Sequence, residues 1–83
     1  MAIVIKYREM LLSELKSGES GIVKDFLNEH RFVLRLNAIG LTKDAMVTLI
    51  RTAPFGDPIE IKVRDFYLAI RKEQAEKIIL EKL

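Results

Sequence analysis

The sequence predicts a small β-rich barrel, and three observations carry that expectation. Ile59, Ile61 and Val63 alternate with Glu60, Lys62 and Arg64, the period of a half-buried strand. Short apolar segments are punctuated by tight turn signals, above all Pro54-Phe55-Gly56-Asp57-Pro58 with its two prolines and a glycine. The third is length. At 83 residues the chain cannot cover both faces of an open sheet of about five short strands. Curling that sheet into a closed or half-closed barrel buries one face and removes edges.

The elements follow in order. Gly18 and Gly21 flank the first turn. Ile22–Leu27 reads as a strand, but Ile22 and Phe26 fall in one alternation phase and Val23 and Leu27 in the other, so its inward face is ambiguous. Asn28-Glu29-His30 reads as a turn into a helix with Asn28 as N-cap. Phe32, Leu36 and Ile39 then have helical spacing, and Gly40 suits the left-handed residue that ends a helix. Ala45–Ala53 resumes strand character. Ile59–Val63 and Phe66–Ile70 are strands joined by a tight turn at Asp65, with Leu68 and Ile70 inward. Lys72–Lys77 is one helical turn around Ala75, and Ile78–Leu80 is the last strand. This order, with one short helix after the first strand and a helical turn before the last, fits an SH3-like barrel.

Composition narrows the function. There is no cysteine, which removes disulfides, thiolate metal sites and cysteine nucleophiles together. The longest apolar runs fall far short of the ~20 residues that span a bilayer, and Lys6 and Arg8 follow the first apolar run where a signal peptide would place them before it. A cytoplasmic protein with no membrane insertion is expected. Net charge is +2, and it is spread evenly: residues 1–41 hold six basic and five acidic side chains, residues 42–83 eight and seven. Binding to nucleic acid leans on clustered Lys and Arg, so a small nucleic-acid-binding barrel ranks third among the readings below.

Candidate chemistry is sparse. The serines Ser13, Ser17 and Ser20 and the single His30 supply no held base for a hydrolase, so no catalytic residues, no cofactor and no enzyme are expected. Asp25, Glu29 and His30 form the one local group with Fe²⁺-type ligands, a weak metal candidate. Gly18-Glu19-Ser20-Gly21 lacks the Gly-Lys-Ser/Thr ending of a phosphate loop. The best candidate for binding a protein is the 54–58 loop, with Pro54, Phe55 and Asp57. Phe55 at its tip is either an exposed aromatic anchor or a plug for one end of the barrel. The helix face carrying Arg31, Arg35 and Asn37 is a second candidate. A free sheet edge offers a third route, strand addition by a peptide or a second copy of the chain.

Four segments resemble a known family. They are Leu12-Ser13-Glu14-Leu15-Lys16-Ser17-Gly18-Glu19-Ser20-Gly21, Arg35-Leu36-Asn37-Ala38-Ile39-Gly40-Leu41, Ala53-Pro54-Phe55-Gly56-Asp57-Pro58-Ile59, and Leu68-Ala69-Ile70-Arg71-Lys72-Glu73-Gln74-Ala75 with Ile78 beyond. In that order and spacing they resemble FeoA, small proteins associated with bacterial ferrous iron uptake. The resemblance covers roughly residues 11–82. It implies an SH3-like barrel and a cytosolic accessory that binds and modulates FeoB, a membrane Fe²⁺ permease with a GTPase domain. It implies iron as cargo of that permease. The alternative is an SH3-like regulatory or oligomerisation module, as at the C-terminus of DtxR-type metal-dependent repressors.

Two departures stand out. The family usually has glycine where this chain has Asp44, and often where it has Asp65, which implies positive φ at both. Residues 1–10 precede the usual family start, so the chain divides into an N-terminal extension, 1–10, and a barrel, 11–83. Ile3–Ile5 is expected as an added edge strand, a homodimer contact or a frayed tail.

Overall fold

The structure is a computed structural model that describes residues 8–27 and 30–83. Its strands are β1 (Glu9–Leu11), β2 (Ser20–Phe26), β3 (Met46–Thr52), β4 (Ile59–Val63), β5 (Phe66–Ile70) and β6 (Ile78–Lys82). A 3-10 turn at Leu12–Glu14 follows β1. Helix α1 (His30–Ala38) joins β2 to β3, and α2 (Lys72–Ala75) joins β5 to β6. All pairings are antiparallel, in the order β1-β6-β2-β3-β4-β5.

Among the described residues the barrel therefore has six strands, where the sequence predicts about five. The added strand is β1, three residues that carry no alternation and become a strand by pairing with Ile79–Glu81 of β6. Among the described residues, strands β1 and β5 are the sheet's edges, so curling does not pair every strand on both sides. The expected edge strand at Ile3–Ile5 and the N-cap at Asn28 lie outside the described residues.

A β-bulge resolves the ambiguity of the second strand. Val23 pairs with Leu80 and Asp25 with Ile79, so the extra residue Lys24 shifts the register. Val23 and Phe26, in opposite phases by sequence, thereby both reach the core side opposite Leu80 and Ile78. A second bulge lies in β3 between Leu49 and Arg51. Bulges bend strands, and these two help curl the sheet around Val23, Val47, Leu49, Ile61, Val63, Ile78 and Leu80, all buried.

Helix α1 closes one end of that core with Phe32 and Leu36. Ile39, expected on the same stripe, is 47% exposed, because the helix stops at Ala38. The stop is a Schellman turn. Leu41 N donates to Leu36 O (2.9 Å), Gly40 N donates to Asn37 O (3.1 Å), and Gly40 has φ +98°. The chain reverses there, and Leu41 takes the buried place that Ile39 does not.

At the two departures from family glycines the backbone behaves differently. Asp44 has φ +71°, in the left-handed region. In the β4–β5 hairpin the positive φ falls on Arg64 (+54°) and not on Asp65, which corrects the expectation for that turn. Val63 pairs with Phe66, so Arg64 and Asp65 are the two central residues, and positive φ at the first alone has the signs of a II′ turn. Asp44→Gly and Arg64→Gly are each expected to be neutral or to stabilise by up to ~1 kcal/mol. Asp65→Gly should lose about 0.5 kcal/mol, since it gains no relief and adds unfolded-state freedom. Urea unfolding of the three variants checks the order.

Candidate partner-binding surface

The 54–58 loop is built as a turn that projects its aromatic residue. Gly56 N donates to Ala53 O (2.7 Å), placing Pro54 and Phe55 at the two central positions, and Ala53 N donates to Pro58 O (3.0 Å) to close the base. Proline presets φ at the first central position, and Gly56 supplies φ +89° for the exit. Phe55 stands 99% exposed, so it does not plug an end of the barrel. Pro54 is exposed beside it. Alongside runs a groove lined by Arg51, Pro54, Pro58, Ile59, Glu60 and Ala69. An aromatic ring wholly in water beside proline surface is an unsatisfied apolar group on a small domain.

Asp57 has a different task from its neighbours. Its Oδ1 accepts from the backbone N–H of Lys72 at 3.0 Å, satisfying an otherwise unpaired donor at the start of α2. The carboxylate thus fastens the loop to α2. Gln74 completes the helix start by accepting from Arg71 N through Oε1 (3.0 Å).

On α1, Arg31 and Arg35 are exposed one turn apart on one flank of the buried Phe32–Leu36 stripe. Asn37 is exposed on the other flank, so the three do not form a single surface. The fold instead brings Arg35 to a cleft with Arg71 and Lys77, which no motif marks.

Two of the remaining candidates, Ser20 and Asp25, have structural partners. Ser20 Oγ and Thr48 Oγ1 share a hydrogen bond of 2.7 Å across β2 and β3. Asp25 Oδ1 accepts from Phe26 N (2.8 Å) and lies 3.9 Å from Lys43 Nζ. Glu29 lies outside the described residues, and among the described residues no three His, Cys, Asp or Glu side chains gather as metal ligands. None of the described helices is long and apolar enough to cross a membrane.

In the Gly18–Gly21 segment, Glu19 serves the fold. Its Oε2 lies 2.7 Å from Lys82 Nζ and its Oε1 accepts from Lys16 N at 2.7 Å. The Lys82 hydrogen bond, then the Lys16 N–H, hold its carboxyl below the usual carboxylate range. That contribution is fully present above the unfolded pKa of about 4.5 and fades as pH falls through the lowered folded value. Glu19→Gln should therefore lower the urea midpoint at pH 7, with a gap to the parent chain that closes toward acid pH. A gap constant with pH would contradict the ion pair.

Comparison with known proteins agrees with this architecture. The FeoA domain family model matches residues 10–82. A Porphyromonas gingivalis protein described as an Fe(2+) transport protein A/Fe(2+) transporter FeoB fusion is 29% identical over 72 residues, 87% of this chain. The chain spans only 8% of that fusion's length. The solution structure of FeoA from Chlorobium tepidum superimposes with a TM-score of 0.83 at 38% identity, covering 89% of this chain and 70% of that one. Stenotrophomonas maltophilia FeoA, crystallised with zinc and described as an SH3 domain protein, gives 0.73 at 27%, covering 86% and 88%. A manganese-dependent transcriptional repressor reaches 0.84 over 96% of this chain and 45% of its own, at 16% identity, a likeness of fold alone. With the family model matched from residue 10 to residue 82 on a six-stranded SH3-like barrel, the chain belongs to the FeoA family.

Proposed function

We propose that this chain is a non-catalytic accessory of ferrous iron uptake that binds and modulates the cytosolic part of an FeoB-type permease, with Phe55 as the anchor of the contact. The observation that carries the partner is the Porphyromonas gingivalis fusion, in which a relative of this chain and the transporter share one polypeptide. Joining two modules raises their effective concentration to about the millimolar range, an advantage only when they work together. The site is supported by the wholly exposed Phe55 on a loop held rigid by two backbone hydrogen bonds and the Asp57 cap. A rigid aromatic loses little conformational entropy on binding.

Calorimetric titration of the full chain against the soluble cytosolic part of the cognate permease tests this. A 1:1 complex with Kd below ~100 μM is expected. No heat at that concentration, together with unchanged iron uptake when the gene is deleted, would overturn the proposal.

A further inference from the structure

The cleft between α1 and α2 is a second surface with its own chemistry. Arg35, Arg71, Lys77 and Glu73 line it, with Gln74 beside them and the buried ring of Phe32 as its floor. Lys77 Nζ sits 5.9 Å from the centre of that ring. Arg31 lies exposed one turn before Arg35 on the same flank of α1. Among the described residues the ion pairs are Lys24–Glu81, Lys43–Asp25, Arg51–Glu60 and Lys82–Glu19, none of which uses the cations of this cleft.

We propose that this cleft binds an acidic peptide segment of a protein partner. Three cations face one carboxylate, so the net field favours an anion. Two of the three are guanidinium groups, whose forks match carboxylates in paired hydrogen bonds. Two features select a peptide over a nucleic acid. Glu73 stands in the cleft, where a continuous phosphate chain would meet it, whereas a peptide can space its carboxylates around it. Nucleic-acid grooves also use about six to ten phosphate contacts, more than this cleft offers. The Asp57 bond to Lys72 N fixes α2 to the Phe55 loop, so an apolar anchor and an acidic segment can engage one rigid unit. The identity of the partner rests on the accessory reading, but the chemistry of the cleft does not.

The test is fluorescence anisotropy of the full chain with a labelled hexaglutamate peptide and, separately, a labelled twelve-residue oligothymidine, at low salt. The peptide is expected to bind more tightly than the oligonucleotide and to weaken as salt rises. Arg71→Glu and Lys77→Glu should each weaken it by about fivefold or more, while Lys62→Glu, an equal charge change on β4, should alter it by less than about twofold. Circular dichroism confirms that each variant is folded, and either cleft variant suffices. Equal losses from Lys62→Glu and the cleft variants would overturn the proposal, as would tighter binding of oligothymidine that depends on Arg71. Phe55→Ala should leave peptide binding unchanged. If the peptide binds the cleft while the permease fragment does not bind the chain, the cleft stands and the partner falls. If the permease binds and the Arg71 and Lys77 variants change neither interaction, the cleft falls and the partner stands.

Discussion

Gly21→Val should destabilise the domain by about 3 kcal/mol or more, read as a loss of urea midpoint at unchanged slope. Gly21 is buried in β2, between Val47 of β3 and Lys82 of β6. A Cβ there would meet Leu80 Cβ at 3.0 Å and the backbone oxygen of Glu81 at 3.1 Å. The carbonyl cannot turn away without loosening the β2–β6 pairing. Leu80 cannot retreat either, since it is fully buried. Valine adds two methyl groups to that collision. A domain of this size is stable by only about 4–12 kcal/mol, so the variant should lose a large part of its margin. Gly21→Ala should give a smaller loss of about 1–2 kcal/mol, and an alanine variant as stable as the parent would contradict the close approach.

Phe55→Ala should weaken the complex with the permease fragment by about 30-fold or more, the loss typical of a central aromatic anchor. The same change should leave the unfolding midpoint almost unmoved. Phe55 is 99% exposed and contributes no core burial, so its truncation creates no cavity. This separation of binding from stability distinguishes an anchor from a structural residue. Asp57→Ala is the informative contrast. It removes the acceptor for Lys72 N and should cost about 1 kcal/mol of stability, because a helix start loses its cap.

Much of the barrel was legible because alternation and turn chemistry are local. Ile59–Val63 is a strand at the bounds its pattern gives, and Gly40 ends α1 with the left-handed turn its position implies. What stayed hidden depended on neighbours. The phase of β2 depends on a bulge set by pairing with β6, which no single-strand pattern reveals. Strand β1 exists because β6 offers it a partner. In the β4–β5 turn, positive φ falls on Arg64, one residue before the aspartate that replaces a family glycine, because the Val63–Phe66 pairing fixes the turn register.

The candidate site divides in the same way. The Phe55 loop is a contiguous motif whose turn residues act on each other, so its geometry follows from sequence. Asp57 belongs to that motif, yet its role depends on Lys72, fifteen residues away. Evenly spread charge in sequence also concealed a local excess: Arg35 and the Arg71–Lys77 segment meet only after α1 and α2 take their places.

If the Phe55 loop is where the partner binds, its amides report the contact directly. The most direct measurement is an amide-resolved NMR titration of the labelled chain with the cytosolic part of the cognate permease. Amides of Ala53, Phe55, Gly56 and Asp57 should shift or broaden first and furthest, and Phe55→Ala should abolish those changes. Perturbation confined to the β1 or β5 edge, with the 53–57 amides unmoved at saturation, would contradict it.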